Sequence, residues 1–196
     1  MNHTQMEQLV YEALETEMGG AKIYEKALQC ARNKELKQEW QRYRKQTQRH
    51  VEIMLDACKK LGLDPDKETP GRHLVRTFAE TLCQIMDSAI ETGNKPQAEI
   101  VAAEAITLAE LKDHMNWQLI GLVCKEADDR IKNVLQPAYE EVDDQEDEHF
   151  FHTRGWAREL WAKSLGIKSV LPPPEEKMDV KTAMGAATAE LSRRVM

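Results

Sequence analysis

The chain is short of residues that break helices, with 9 glycines and 7 prolines among 196 residues. Alanine, glutamate, lysine, glutamine and leucine are plentiful instead, a composition that favours helix and predicts an all-α protein. No run of about eighteen apolar residues is present, which argues against a membrane partner. The opening Met1-Asn2-His3-Thr4-Gln5 lacks the basic and then apolar pattern of a secretory signal, so a cytoplasmic location is expected. A basic excess is missing too. Acidic residues outnumber basic ones 34 to 27, for a formal charge of -7. That balance speaks against nucleic acid or an anionic membrane surface as partner and fits cations better. Cys30, Cys58, Cys83 and Cys124 form no Cys-x-x-Cys pair, so local sequence builds neither a zinc ribbon nor a rubredoxin-type iron site. They read as buried, reduced thiols. No Gly-x-Ser-x-Gly elbow or Gly-rich phosphate loop supports nucleophilic hydrolase chemistry.

What is present is a succession of apolar stripes at helical spacing, followed by a Pro-rich segment. They divide the chain into a helical bundle over 1–166 and a linker with a short helical tail over 167–196. Thr4, with Glu7 three residues on, reads as the first N-cap, and the stripe from Met6 to Leu28 passes through Glu17. Glu15 is placed toward solvent. A second helix over about 34–61 carries His50 in its seam and stops at Gly62. After Thr69-Pro70-Gly71 a third helix has no acid in its seam and reads as a crossover or packing helix. A fourth, over about 97–127, carries Glu110 and Asp113 among Ile106, Trp117 and Ile120, with His114 off the seam. The last long helix is expected to begin just before Pro137 and to end at Gly166, with Glu146 and His149 in its seam. Glu148 and His152 read as a surface pair on its outer side. Leu171-Pro172-Pro173-Pro174-Glu175-Glu176 reads as an extended spacer before a helical segment through Ala183, Ala187, Leu191 and Val195, packed on its own bundle or on a neighbouring subunit.

Six possible metal ligands therefore fall on inward faces: Glu17, His50, Glu110, Asp113, Glu146 and His149. Each alone has an ordinary explanation, such as a paired acid or a hydrogen-bonded core histidine. Together, without a common partner, so many buried polar groups would be costly. Glu110 and Asp113, three apart, can present two carboxylates to one point, and Glu146 and His149 share a helix face in the same way. The acidic run from Asp143 to Glu148 lacks the glycine of a calcium loop, which argues against an EF-hand. An internal echo links the halves: Glu17 precedes Tyr24 by seven residues and Glu110 precedes Trp117 by seven, with His50 and His149 one helix further on. Tyr24 and Tyr43 lie near enough in the seam to hydrogen-bond a ligand or supply an electron, although packing explains them as well.

This pattern resembles the ferritin-like superfamily, in particular rubrerythrin-like proteins and bacterial ferritin-like stress proteins, over roughly residues 5–165. The residues that carry the resemblance are Glu17-Met-Gly-Gly-Ala-Lys-Ile-Tyr24, Thr47-Gln-Arg-His50-Val51, Glu110-Leu-Lys-Asp113 and Glu146-Asp-Glu-His149. It implies a ferritin-like antiparallel four-helix bundle, with the crossover helix and C-terminal tail as additions. It also implies a homodimer and a site for two iron ions, with manganese as the alternative. The expected chemistry is ferroxidase or peroxide-reducing activity in oxidative stress, with oxygen or peroxide as co-substrate and an external electron donor, since no rubredoxin domain is present. Thr47 stands where the fuller pattern has glutamate, and Asp113 is shorter than the usual acid. One filled metal position, or a structural or interaction protein with a degenerate or empty site, therefore remains the alternative.

Overall fold

A computed structural model describes residues 1–193 and 195–196, and every regular element among the described residues is helical. The long helices are α1 (His3–Cys30), α2 (Lys34–Leu61), α3 (Pro70–Glu91), α4 (Lys95–Glu126) and α5 (Asp129–Ser164); α6 (Pro174–Lys177) and α7 (Ala183–Ser192) follow in the tail. Among the described residues no helix is long and apolar enough to cross a membrane. Short polar side chains start the helices by accepting from backbone N–H groups that have no partner within the helix. Asn33, Thr69, Asn94 and Asp128 cap α2 to α5 in this way, and Gly62, with φ of 74°, takes the left-handed turn that closes α2.

Helices α1, α2, α5 and α4 contact one another in a ring, while α3 lies outside it against α1 and α4. The apolar core comes in two halves. One contains Ile23, Leu36, Trp40, Ile106 and Trp156, and the other Met6, Leu14, Met54, Trp117 and Leu135. Along α1 and α5 the second half comes first; along α2 and α4 the order is reversed. Neighbours in the ring therefore run antiparallel, and α3 spans the distance that brings α4 back parallel to α2. The layer between the halves is where Glu17, His50, Glu110, Asp113, Glu146 and His149 lie.

Several expectations need correction. The first N-cap is Asn2, whose side chain accepts from the Gln5 N–H, and Thr4 lies inside α1. The last long helix begins eight residues before Pro137, at Asp129, and Pro137 is interior to it. An interior proline costs about 3 kcal/mol, but the added turns bury Ile131 and Leu135, which offsets that cost. Glu15 is buried beneath α3, where Arg72 and Arg76 donate to its carboxylate at 2.8 and 2.9 Å. Burial alone would raise its pKa, yet the two guanidinium groups outweigh it and hold the carboxyl below the ordinary value. The spacer is not wholly extended, because Pro174–Lys177 forms a turn of helix. In α7 the buried residues are Ala186 and Ala189, whereas Leu191 and Val195 are exposed. The expected apolar stripe of the tail is thus turned outward.

Helix α4 has no single apolar side. Its inner residues pack in the bundle, while Leu108, Leu111, Met115, Leu119 and Leu122 stand 40–55% exposed on the opposite face. The tail, by contrast, folds onto its own chain. Phe151 packs with Val180, Ala186 and Ala189, and Arg158 forks onto the Glu175 carboxylate at 2.6 and 2.9 Å.

Tail docking also sets two carboxylates against each other, Glu176 and the buried Glu39. Burial and Glu39 push the Glu176 carboxyl up to about 8, from 4.5 in the free chain. The folded form then binds the extra proton between those values, so docking weakens as pH rises through that window. Glu176→Gln should raise the thermal midpoint at about pH 9 and leave it unchanged at about pH 4. A series of melting curves across pH checks this.

Candidate metal centre

Glu17, His50, Glu110 and Glu146 sit near the middle of α1, α2, α4 and α5, and Asp113 and His149 lie one turn further along the last two. None of the six is more than 4% exposed. Their atoms form two groups that share one residue: Glu17, His50 and Glu146, and Glu110, Glu146 and His149, with the possible ligand atoms of each group within 4.8 Å of one another. Glu146 is the shared member. Its Oε1 lies 3.0 Å from His50 Nδ1 and 3.3 Å from His149 Nδ1. Glu17 Oε2 approaches His50 Nδ1 at 3.4 Å, and Glu110 Oε2 approaches His149 Nδ1 at 3.7 Å.

The expected ligands are thus brought together, with a distinction among them. Asp113 is buried and its Oδ1 lacks a hydrogen-bond partner, but it belongs to neither group. Gly20 and Thr47 account for the weaker side: a Cβ added at Gly20 would lie 3.3 Å from Thr47 Cγ2, so a methyl group fills that corner. His114 is turned away, with Nδ1 3.0 Å from Asp147.

The donor set fits a cation. Glu17 Oε2, His50 Nδ1, Glu110 Oε2, both Glu146 oxygens and His149 Nδ1 are all buried and face one another at ion-pair distance or a little beyond, without a well-aligned hydrogen bond. Buried polar atoms usually find partners, and an inward-facing set of carboxylate oxygens and imidazole nitrogens is the kind that takes divalent first-row metals. The electrostatics follow from the crowding. Burial raises the pKa of Glu110 and Asp113 well above the ordinary range, and the neighbouring acids add to it. Burial also raises Glu17, although His50 opposes it. Glu146 goes the other way: burial would raise it, but His149 and His50 outweigh burial and hold it ionised. Burial lowers His149. At His50 the acids Glu17 and Glu146 outweigh burial and raise the pKa.

Residues around the ligands fix their orientation. The Trp117 indole N–H donates to Glu17 Oε1 at 2.7 Å, leaving Oε2 free to face the site. The Tyr24 hydroxyl is directed at Glu110 from the other hairpin, without a well-formed hydrogen bond. The echo at seven residues is therefore crossed, because each aromatic ring serves the carboxylate of the opposite helix.

Sequence reasoning missed a second polar cluster, under the tail. Glu39 accepts from the Tyr43 hydroxyl, lies 3.1 Å from His152 Nδ1, and accepts from Trp156 Nε1 at 2.7 Å. The Tyr43 ring lies 4.2 Å from the His149 ring, which joins this cluster to the candidate centre. Glu148 and His152 are not a surface pair. Both are buried, Glu148 paired with Arg42 and His152 donating from Nε2 to Val180 O at 3.1 Å. The four-residue spacings Glu39 to Tyr43 and His152 to Trp156 were visible in the sequence, but the contact of His152 with the Val180 carbonyl of the docked tail was not.

Comparison with known proteins finds no matching family model, curated protein or solved structure.

Without metal, the raised carboxyls are a cost to folding that grows with pH. Asp113→Asn removes one of them, and should stabilise the metal-free protein by at least about 1 kcal/mol at pH 8. Denaturant unfolding of the chelator-treated protein measures the difference. No gain, or a loss, would mean that Asp113 is ionised and compensated where it stands.

Proposed function

We propose that the chain is a ferritin-like dimetal-carboxylate protein that holds two divalent ions, iron or manganese, and reacts with oxygen or peroxide. The observation that carries this reading is Glu146, whose Oε1 lies 3.0 and 3.3 Å from the two imidazoles, with a separate terminal acid on either side. A carboxylate in that position can bridge two cations. Glu17 and His50 would complete one position, and Glu110 and His149 the other. Asp113, close but outside both groups, is an acid that could join either position by a change of rotamer.

Two such ions, when bound, supply electrons to oxygen or peroxide and open positions at which it can react. The protein's own part is positional. Trp117 holds Glu17 with one oxygen inward, and the two apolar halves of the core exclude water from the layer between them. Exclusion of water strengthens each carboxylate's hold on a cation. Electrons for repeated turnover come from a partner, for which the Tyr43 ring against His149 is the nearest aromatic contact toward the tail.

A second reading is a metal-free scaffold, and it draws on the Gly20 and Thr47 corner, where the first hairpin has a methyl group in place of an acid. Metal content separates the two. Loaded with Fe(II) or Mn(II) without oxygen and desalted, the protein should retain about two ions per chain on the dimetal reading. Retention below about a tenth of an ion would leave the scaffold. Glu146→Ala should abolish iron oxidation and peroxide turnover while the circular dichroism of the helices is kept. Unchanged turnover would remove this site from the chemistry.

A further inference from the structure

The two histidines are each met from behind by a glutamine of the opposite helix. His50 Nε2, on α2, lies 3.3 Å from Gln145 Oε1 on α5, and His149 Nε2, on α5, lies 3.0 Å from Gln46 Oε1 on α2. Each glutamine stands four residues before the histidine of its own helix, so the arrangement is a crossed pair. We propose that Gln46 and Gln145 are positioning residues that hold His149 and His50, respectively, with Nε2 protonated and Nδ1 presented to the metals. The proposal rests on the dimetal reading.

The orientation of one amide is fixed independently. The Gln145 NH2 donates to Glu141 O at 2.8 Å, which turns Oε1 toward His50. A carbonyl oxygen can only accept, so Nε2 must carry the hydrogen and Nδ1 is left to face Glu17 and Glu146. His149 follows by the same geometry with Gln46. Both glutamines are half-buried while the ligands are fully buried, so they stand between the centre and solvent on the side where α2 meets α5. A glutamine oxygen polarises the imidazole without adding charge. Aspartate or glutamate in that position would make the ring a stronger donor to the metal.

Partners of this kind, when removed, typically weaken metal binding 10–100-fold. Zn(II), which is diamagnetic, serves as the probe for titration and for nitrogen NMR of histidine-labelled protein. In the loaded wild type both rings should carry hydrogen on Nε2 and metal on Nδ1. Gln145→Leu should weaken Zn(II) binding about 10–100-fold and disturb the Nε2–H resonance of His50 but not that of His149, with Gln46→Leu giving the converse. Gln145→Glu keeps the acceptor and should bind Zn(II) at least as tightly as the wild type, which guards against a leucine variant that misfolds. Metal on Nε2, wild-type affinity in both leucine variants, or weakened binding in Gln145→Glu would overturn the proposal while the dimetal reading stands. A wild-type protein that takes up no Zn(II), Fe(II) or Mn(II) would overturn both.

Discussion

The rest of the bundle is arranged around the contact of one buried carboxylate, Glu146, with two imidazoles in the layer between the apolar halves of the core. Four acids and two histidines in a space from which water is excluded repel one another unless cations or protons intervene. The core accommodates this by dividing. Apolar packing above and below the layer supplies the stability that the layer itself does not, and holds four helices close enough to keep the side chains at contact distance. A site with so many unsatisfied atoms is a burden to the empty protein, and that burden is the strongest physical reason to read the layer as a place for metal.

The two hairpins are related by a pseudo-two-fold exchange that extends beyond the ligands. Glu17 and Glu110 correspond, as do His50 and His149, and each half reaches across to orient the other: Trp117 to Glu17, Gln145 to His50, Gln46 to His149. Crossing links the halves, since Trp117, Gln145 and Gln46 each contact a side chain of the opposite hairpin. The symmetry fails at two paired positions. Asp113 and Glu146 in one half are matched by Gly20 and Thr47 in the other, where the Thr47 methyl occupies the space beside the bare Gly20 backbone. The shared carboxylate is therefore supplied from one side only, and Glu146 is the residue common to both candidate metal positions.

Elements outside the four-helix ring adjust the edges of this arrangement. Helix α3 covers part of α1 and neutralises Glu15 with two arginines. The tail packs on α5 and meets a buried polar cluster of Glu39, Tyr43, His152 and Trp156 through the Val180 carbonyl and Glu176, and the cluster touches the centre through the Tyr43 and His149 rings. Polar groups buried in this way are tolerated because nearly every one has a partner in hydrogen-bond distance. The layer of the six candidate ligands differs in that respect, since its closest approaches lack hydrogen-bond alignment, and this separates the two clusters chemically.

Much of this was legible in the sequence, for a local reason. Helical periodicity is a property of neighbouring residues, so composition and spacing alone gave the helices, the stops at Gly62 and Gly166, and the six polar side chains on inward faces. What periodicity cannot carry is which helix lies against which. The Trp117 and glutamine contacts each join residues about a hundred positions apart. Glu15 is paired by arginines of α3, Glu148 by Arg42 of α2, and His152 by a carbonyl of the tail, all distant in sequence. Pro137 misled because a local penalty was outweighed by burial of Ile131 and Leu135 against distant partners. The sequence by itself determined the helices and the chemical character of their inner faces; only the tertiary structure decided that Glu146 is shared, that Asp113 stands aside and that the orienting contacts are crossed, because each of these depends on distances between helices that the chain does not encode locally.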